Sequence, residues 1–273
     1  MNIVTTTSVF PIGTDHFHIV DRLAKIGYTA LDMAFDYCEL GDAGFMSDGY
    51  ESWALRLREH AETQGLRFTQ SHASFDADAE GDIVERNLRC AQILGIPYMV
   101  VHPVFPFGTQ EPEEKAAETF AINVQFFRAL MPEARACGVT VCLENMPFHY
   151  HSLSRPADIL RVIAAVDDPH FAMCFDTGHV GVFPEPDLYE EVLRVKDVLR
   201  VLHVHDNDGK TDLHQLPLFG KLGFAGFARA LREIGFEGVF SFETAPPRDL
   251  SPALFEKVLG LMPQLARDIV EME

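Results

Sequence analysis

Positive charge is in short supply in this chain: Lys and Arg number 22 against 41 Asp and Glu, a formal net charge of -19 at pH 7. Such a surface repels the phosphate backbone that nucleic-acid binders must neutralise, and it repels anionic membranes for the same reason. Neither nucleic acid nor a membrane is expected as a partner. Long apolar runs are also missing. No stretch approaches the roughly 18 residues of a membrane span, and the start, MNIVTTTSVFP, has neither a basic segment nor an apolar leader core. The expectation is a soluble, cytoplasmic chain. Cysteines are few, odd in number and without C-x-x-C spacing (Cys38, Cys90, Cys137, Cys142, Cys174), which fits reduced thiols in a cytoplasmic enzyme. Cys142 and Cys174 read as small core residues. No G-x-G-x-x-G follows the first apolar run, so a dinucleotide-binding fold lacks its main signature.

What is present is alternation. With 47% hydrophobic and 23% charged residues, the composition is that of a globular protein with ample core material. Short β-rich runs (Ile3–Thr7, Thr29–Phe35, Arg67–His72, Tyr98–His102, Val139–Glu144, Phe171–Asp176, Leu199–His205, Val239–Glu243) alternate with segments of helical period. The first of these is capped by Thr14 or Asp15 and closed by Gly27. The others run over Ser52–Gln64, Asp82–Leu94, Glu113–Cys137, Ala157–Val166, Leu188–Lys196, Phe227–Ile234 and Leu254–Ile269. Strands separated by helices imply a parallel sheet. About eight such units suit one closed (β/α)8 barrel over residues 1–273, an α/β fold of the TIM-barrel type, better than an open sheet.

The polar residues fall at the strand ends. Six runs carry His72, His102, Glu144, Asp176, His203 and Glu243 at or near their ends. Parity places them inward: Val139, Val141 and Leu143 share the face opposite Glu144, and Phe171, Met173 and Phe175 oppose Asp176. Active sites of such barrels form at the carboxyl ends of the strands, and charges clustered there must be paired or bound to metal. The stretch Val201–Gly220, VLHVHDNDGKTDLHQLPLFG, adds His205, Asp212 and His214, and Asp-Asn-Asp-Gly within it is turn chemistry. Imidazole and carboxylate at short spacing suit a divalent cation of intermediate hardness. Taken singly, each of these residues also fits a hydrogen-bonded rim position or a cap, as Asp176 does before Thr-Gly-His.

With these residues assembled, the chain resembles the xylose isomerase-like TIM-barrel superfamily, which holds sugar phosphate isomerases and epimerases together with endonuclease IV. The matching pieces are SH at Ser71 and His72, VHP at Val101 to Pro103, LENMP at Leu143 to Pro147, FDTGH at Phe175 to His179, HVHDN at His203 to Asn207, DLH at Asp212 to His214, and FET at Phe242 to Thr244. The resemblance implies a divalent ion (Mn, Mg, Co or Zn) held by Glu144, Asp176, His203 and Glu243, with Glu144 and Glu243 as the catalytic pair. His203 is preferred to His205 because the family ligand precedes an acid by three residues, as His203 precedes Asp206. The resemblance also gives each further ligand of a three-zinc cluster a counterpart, in His72, His102, His179, Asp212 and His214. The usual G-x-G after DLH stands here as Gly220, Lys221, Leu222, with Ala225 where an Asp often follows.

The function expected is a metal-dependent isomerase or epimerase acting on a small carbohydrate, with His179 and His205 orienting hydroxyls. Homo-oligomerisation is compatible with this reading. A dehydratase or lyase shares the first proton abstraction, and a multi-zinc phosphodiesterase shares the ligands, though the charge opposes it and the substrate-facing loops carry no Arg or Lys cluster. A sugar-binding protein without activity is disfavoured by the retained carboxylates. Phe148, His149, Tyr150 and His151 form a candidate lid, or a solvated aromatic turn.

Overall fold

The structure is a computed structural model and describes residues 1–41, 44–77, 81–148, 151–247 and 249–272. Its strands are β1 (Asn2–Thr5), β2 (Ala30–Ala34), β3 (Arg67–His72), β4 (Tyr98–Val101), β5 (Thr140–Glu144), β6 (Phe171–Asp176), β7 (Leu199–Val204) and β8 (Val239–Phe242). Every neighbouring pair is parallel, in the order β1-β8-β7-β6-β5-β4-β3-β2. A parallel bridge between Thr6 and Asp32 joins the two ends, and the sheet becomes the (β/α)8 barrel expected. The helices are α1 (His16–Ile26), α2 (Phe35–Gly41), α3 (Tyr50–Thr63), α4 (Asp82–Leu94), α5 (Ala116–Cys137), α6 (Pro156–Val166), α7 (Thr177–Gly181), α8 (Leu188–Val195), α9 (Phe224–Glu233) and α10 (Pro252–Val270).

Local chemistry explains the boundaries. The Asp15 carboxylate accepts from the Phe17 amide to start α1, and Gly27 ends it at φ 107°, where a side chain would be strained. The expected first strand stops early because the Thr6 hydroxyl accepts from the Ser8 amide and opens a short 3-10 turn, Thr7–Val9. The long helix expected from Glu113 begins as a separate 3-10 turn, Glu113–Lys115, before α5. Two short helices, α2 and α7, have too few residues to show a period in sequence. Among the described residues no helix is long and apolar enough to cross a membrane.

The core has two layers, as strand parity requires. Outward residues such as Val141, Leu143, Met173, Phe175, Leu202 and Phe240 pack against the helices. Inward ones fill the barrel with Val4, Ala30, Val100, Cys142, Ala172, Cys174, Val201 and Val239. These are small because an eight-stranded barrel leaves an interior just wide enough for side chains. Cys142 and Cys174 are therefore interior packing residues, free and buried. Two residues further along the strands the filling changes to polar groups, and the site begins.

Candidate metal centre at the barrel mouth

All ten residues singled out from the sequence converge here, in overlapping groups of donors. Glu144, Asp176, His203 and Glu243 each offer one atom, and those atoms lie within 4.8 Å of one another. His72, His102 and Glu144 form a second group, and His179, His205, Asp212 and His214 a third. Glu144, wholly buried at the end of β5, belongs to two of them: its Oε1 lies 3.2 Å from His203 Nδ1 and its Oε2 3.3 Å from His102 Nε2. From the other side Glu243 Oε2 comes to 3.3 Å of the same His203 nitrogen. The two carboxylates thus reach across the mouth from β5 and β8 and meet.

Backbone carbonyls orient three of the imidazoles. The Nδ1 atoms of His72, His179 and His214 sit 3.1, 2.7 and 2.8 Å from the carbonyls of Ala73, Asn145 and Glu243. A ring that donates from Nδ1 leaves its Nε2 lone pair free, which is how a ligand histidine is prepared. Those free nitrogens point inward. His72 Nε2 is 3.0 Å from His102 Nε2, and Asp212 Oδ2 lies 3.3 Å from both His179 Nε2 and His214 Nε2.

The motif residues between the donors have mechanical roles. Asp176 Oδ1 caps α7 by accepting from the His179 amide at 2.6 Å, so the cap foreseen as an alternative coexists with its place among the donors. Thr177 Oγ1 donates to the His205 carbonyl at 2.8 Å and accepts from the His205 amide at 3.1 Å, fixing β6 to the end of β7. At Gly178 a Cβ would overlap the His205 ring. Gly178→Ala is accordingly expected to push His205 out of the third donor group and to lower stability by about 1–3 kcal/mol, the usual effect of overpacking. Thermal unfolding measures it, and an unchanged midpoint would contradict the packing described.

Asp206 was legible in sequence only as a neighbour of His203. In the fold it is the hub of the following loop: its carboxylate accepts from the amides of Asn207, Leu218, Gly220 and Leu222 at 2.8, 3.0, 2.9 and 3.1 Å. Four such bonds offset the left-handed backbone of His214 (φ 47°) and Leu218 (φ 74°), each of which costs on the order of 1–3 kcal/mol. A Cβ at Gly220 would overlap Asp206 and the Asn207 carbonyl, while Leu222 packs where a side chain at Gly181 would stand. Departure from G-x-G at that position is thus accommodated by packing.

The charges of these residues could suit a cation. Among the described residues, eight buried polar atoms of these donors have no hydrogen-bond partner: both Glu144 oxygens, Asp176 Oδ2, His203 Nδ1, both ring nitrogens of His205, Asp212 Oδ1 and Glu243 Oε2. Orphaned buried acceptors are costly unless something positive joins them. Burial alone would lower the pKa of His179, but the Asp176, Asp212 and Glu144 carboxylates outweigh it and hold the ring up at about 9. Burial likewise opposes the charge on His214, yet Asp212 and Glu243 carry its pKa to about 10. Asp212 moves the other way: burial favours its neutral form, and the flanking imidazoles overcome this and hold it far below the carboxylate range. The same imidazole and carboxylate atoms could take either protons or a cation. The donor set of imidazole nitrogens and carboxylate oxygens suits Zn, Mn or Co.

Three inward residues of the layer beneath were not foreseen. Asp32, Gln70 and Ser241 are buried, and Asp32 Oδ2 accepts from Gln70 Nε2 at 2.8 Å and Ser241 Oγ at 2.7 Å. A signal existed, since Gln70 and Ser241 precede His72 and Glu243 by two residues and so share their face. Beside the donors opens a cavity of about 320 Å³ lined by Thr6, Ser8, Asp32, Asp36, Tyr37 and Thr244, among others, and reaching His203 and Glu243. Of the aromatic turn, His149 and Tyr150 lie outside the described residues. Phe148 and His151 both pack edge-on to Phe105, with ring centroids 5.0 and 4.1 Å apart, and His151 is buried.

The family model of the xylose isomerase-like TIM barrel matches residues 20–262, and the chain belongs to that family. It is 27% identical over 137 residues to the fructoselysine 3-epimerase of Escherichia coli O157:H7, 48% of this chain and 50% of that protein. It is 28% identical over 137 residues to a probable endonuclease 4 of Metamycoplasma arthritidis, 48% of each chain. The chain spans about half the length of these two curated relatives. Its fold is that of a D-psicose 3-epimerase crystallised in the presence of D-fructose, with a TM-score of 0.81, 15% identity and 99% of each chain covered.

Proposed function

We propose that this chain is a divalent-metal-dependent sugar epimerase or isomerase, with Glu144, Asp176, His203 and Glu243 as ligands and Glu144 and Glu243 as the acid and base. The observation that carries the reading is the meeting of Glu144 Oε1 and Glu243 Oε2 at one histidine nitrogen, 3.2 and 3.3 Å away, beside a cavity of about 320 Å³. A volume near the lower end of small-molecule sites suits one sugar unit. The hydroxyls of Thr6, Ser8 and Thr244 and the Asp36 carboxylate offer a polyol hydrogen-bond partners.

A cation bound at these ligands would polarise a substrate carbonyl and acidify the neighbouring C–H bond. Glu144 and Glu243 approach from opposite sides of the mouth, so one carboxylate removes a proton from one face of the carbon and the other delivers one to the opposite face. The two must differ in protonation when substrate is bound. His179, anchored by the Asn145 carbonyl, and His205, anchored through its backbone by Thr177, are placed to orient hydroxyls. The family membership, the fold shared with a sugar epimerase and the fructoselysine 3-epimerase relative support this assignment.

Turnover in D2O tests it, with D-psicose, D-fructose and fructoselysine as first substrates. Solvent deuterium is expected at the epimerised carbon. Product formed without label after prolonged incubation would exclude the proton-transfer mechanism. The three donor groups also favour a second reading, a multi-metal phosphodiesterase acting on abasic DNA, which the net charge of -19 opposes. Metal-dependent nicking of an abasic duplex at low salt, with no turnover of any sugar, would put that reading first.

A further inference from the structure

The polar layer beneath the mouth points to a specific task. His203 turns Nδ1 toward Glu144 and Glu243, which leaves Nε2 on the far side of the ring. There Nε2 meets the Gln70 carboxamide at 2.8 Å. Gln70 is held in turn by Asp32, which Ser241 grips from β8. The placement follows from register: Asp32 pairs with Gln70 across β2 and β3, and His203 pairs with Ser241 across β7 and β8. All four side chains are buried, so none can exchange its partner for bulk water.

We propose that Gln70 is the positioning residue that holds the His203 ring for metal binding, and that Asp32 and Ser241 hold Gln70 for that purpose. The inference rests on His203 being a ligand, as proposed above. A ring that binds a cation through Nδ1 carries its proton on Nε2, and that proton needs a fixed acceptor. The carboxamide can offer either its nitrogen or its oxygen to the same point. As placed, Gln70 Nε2 faces both Asp32 and His203, which suits a ring whose Nε2 is bare. Whenever Nε2 carries a proton, a half-turn of the carboxamide brings Oε1 to it. Oε1 then also faces Asp32 Oδ2 and needs a proton between them. Burial, the largest influence on Asp32, favours its protonated form over the opposing effect of His203. The half-turn exchanges the bond that Gln70 Nε2 donates to Asp32 for one that a protonated Asp32 donates to Oε1, an oxygen with no hydrogen-bond partner among the described residues in its present orientation.

The test is calorimetric titration of the chelator-treated full chain with Mn2+. Gln70→Met keeps length and removes the hydrogen bond, and it is expected to weaken Mn2+ binding by about 10–100-fold, the usual effect of losing the partner of a ligand histidine. Gln70→Glu keeps an acceptor at that point and should stay within a few-fold of the unsubstituted chain. Ser241→Ala, a lighter change that removes only the hydroxyl gripping Asp32, should cost a few-fold. In Zn2+-loaded protein, nitrogen-selective NMR should show a slowly exchanging His203 Nε2 proton that exchanges fast in Gln70→Met. Unaltered Mn2+ affinity in both Gln70→Met and Ser241→Ala would overturn the role of Gln70 while leaving the ligand set in place. An unsubstituted chain that binds no Mn2+ would overturn both.

Discussion

Protein purified without chelator is expected to carry at least one divalent cation per chain, and Glu144→Gln is expected to lose most of it. Glu144 stands where two donor groups overlap, with one oxygen toward His203 and the other toward His102. Replacing it by a neutral amide therefore removes a donor from both groups. Asp176→Asn removes one donor from one group and should lose less. Burial by itself favours the neutral form of Glu144, and His203 overrides this to hold the carboxyl well below its usual range, which favours the anion that a cation needs. Turnover should fall in parallel by about 10²–10⁴-fold, the range set by loss of a general acid or base. Elemental analysis read beside activity separates metal loss from loss of acid–base function. Equal metal content in the unsubstituted protein and both variants would remove the site from consideration.

The second large effect is a stability profile whose direction reverses when metal is added. Against the ordinary histidine value of about 6.5, His179 is held up at about 9 in the folded chain, burial being outweighed by its carboxylate neighbours. A raised folded pKa means that this stabilisation is complete below pH ~6.5 and is lost as pH climbs through about 9. His214, at about 10, acts in the same direction and less strongly because it is more exposed to solvent. Chelator-treated protein should therefore lose stability from pH 6.5 upward, on the order of a few kcal/mol, with about 2–4 °C in Tm for each kcal/mol in a chain of this size. Saturating metal should do the opposite. Ligand imidazoles must be deprotonated, so affinity and the Tm increment both grow with pH. Thermal scans from pH 6 to 10 with and without Mn2+ check this, and parallel curves would mean that metal and protons do not compete for these histidines.

Strand parity made the candidate ligands legible before any fold was known. An inward acid two residues beyond a small inward residue, as Glu144 follows Cys142 and Asp176 follows Cys174, is set by the two-residue repeat of a strand. The same repeat holds for His203 after Val201 and for Glu243 after Ser241. Eight strand and helix units then left few ways to bury that many apolar faces, and the barrel followed. Gly178 and Thr177 were visible as a motif, but not as the space and the tether for His205, because what they touch lies 27 or 28 positions away in the chain.

The sequence by itself determined the alternation, the barrel, the inward phase of His72, His102, Glu144, Asp176, His203 and Glu243, and the acidic surface, because each depends on neighbours one to four residues apart or on composition. Only the tertiary structure decided that Glu144 and Glu243 meet at one nitrogen of His203, that Asp206 gathers four amides to carry Asp212 and His214 into place, and that Asp32 and Gln70 stand behind the His203 ring. Those relations are set by barrel closure and by the register between strands far apart in the chain, and hydrogen bonds that form only once the strands are registered leave no period in the sequence.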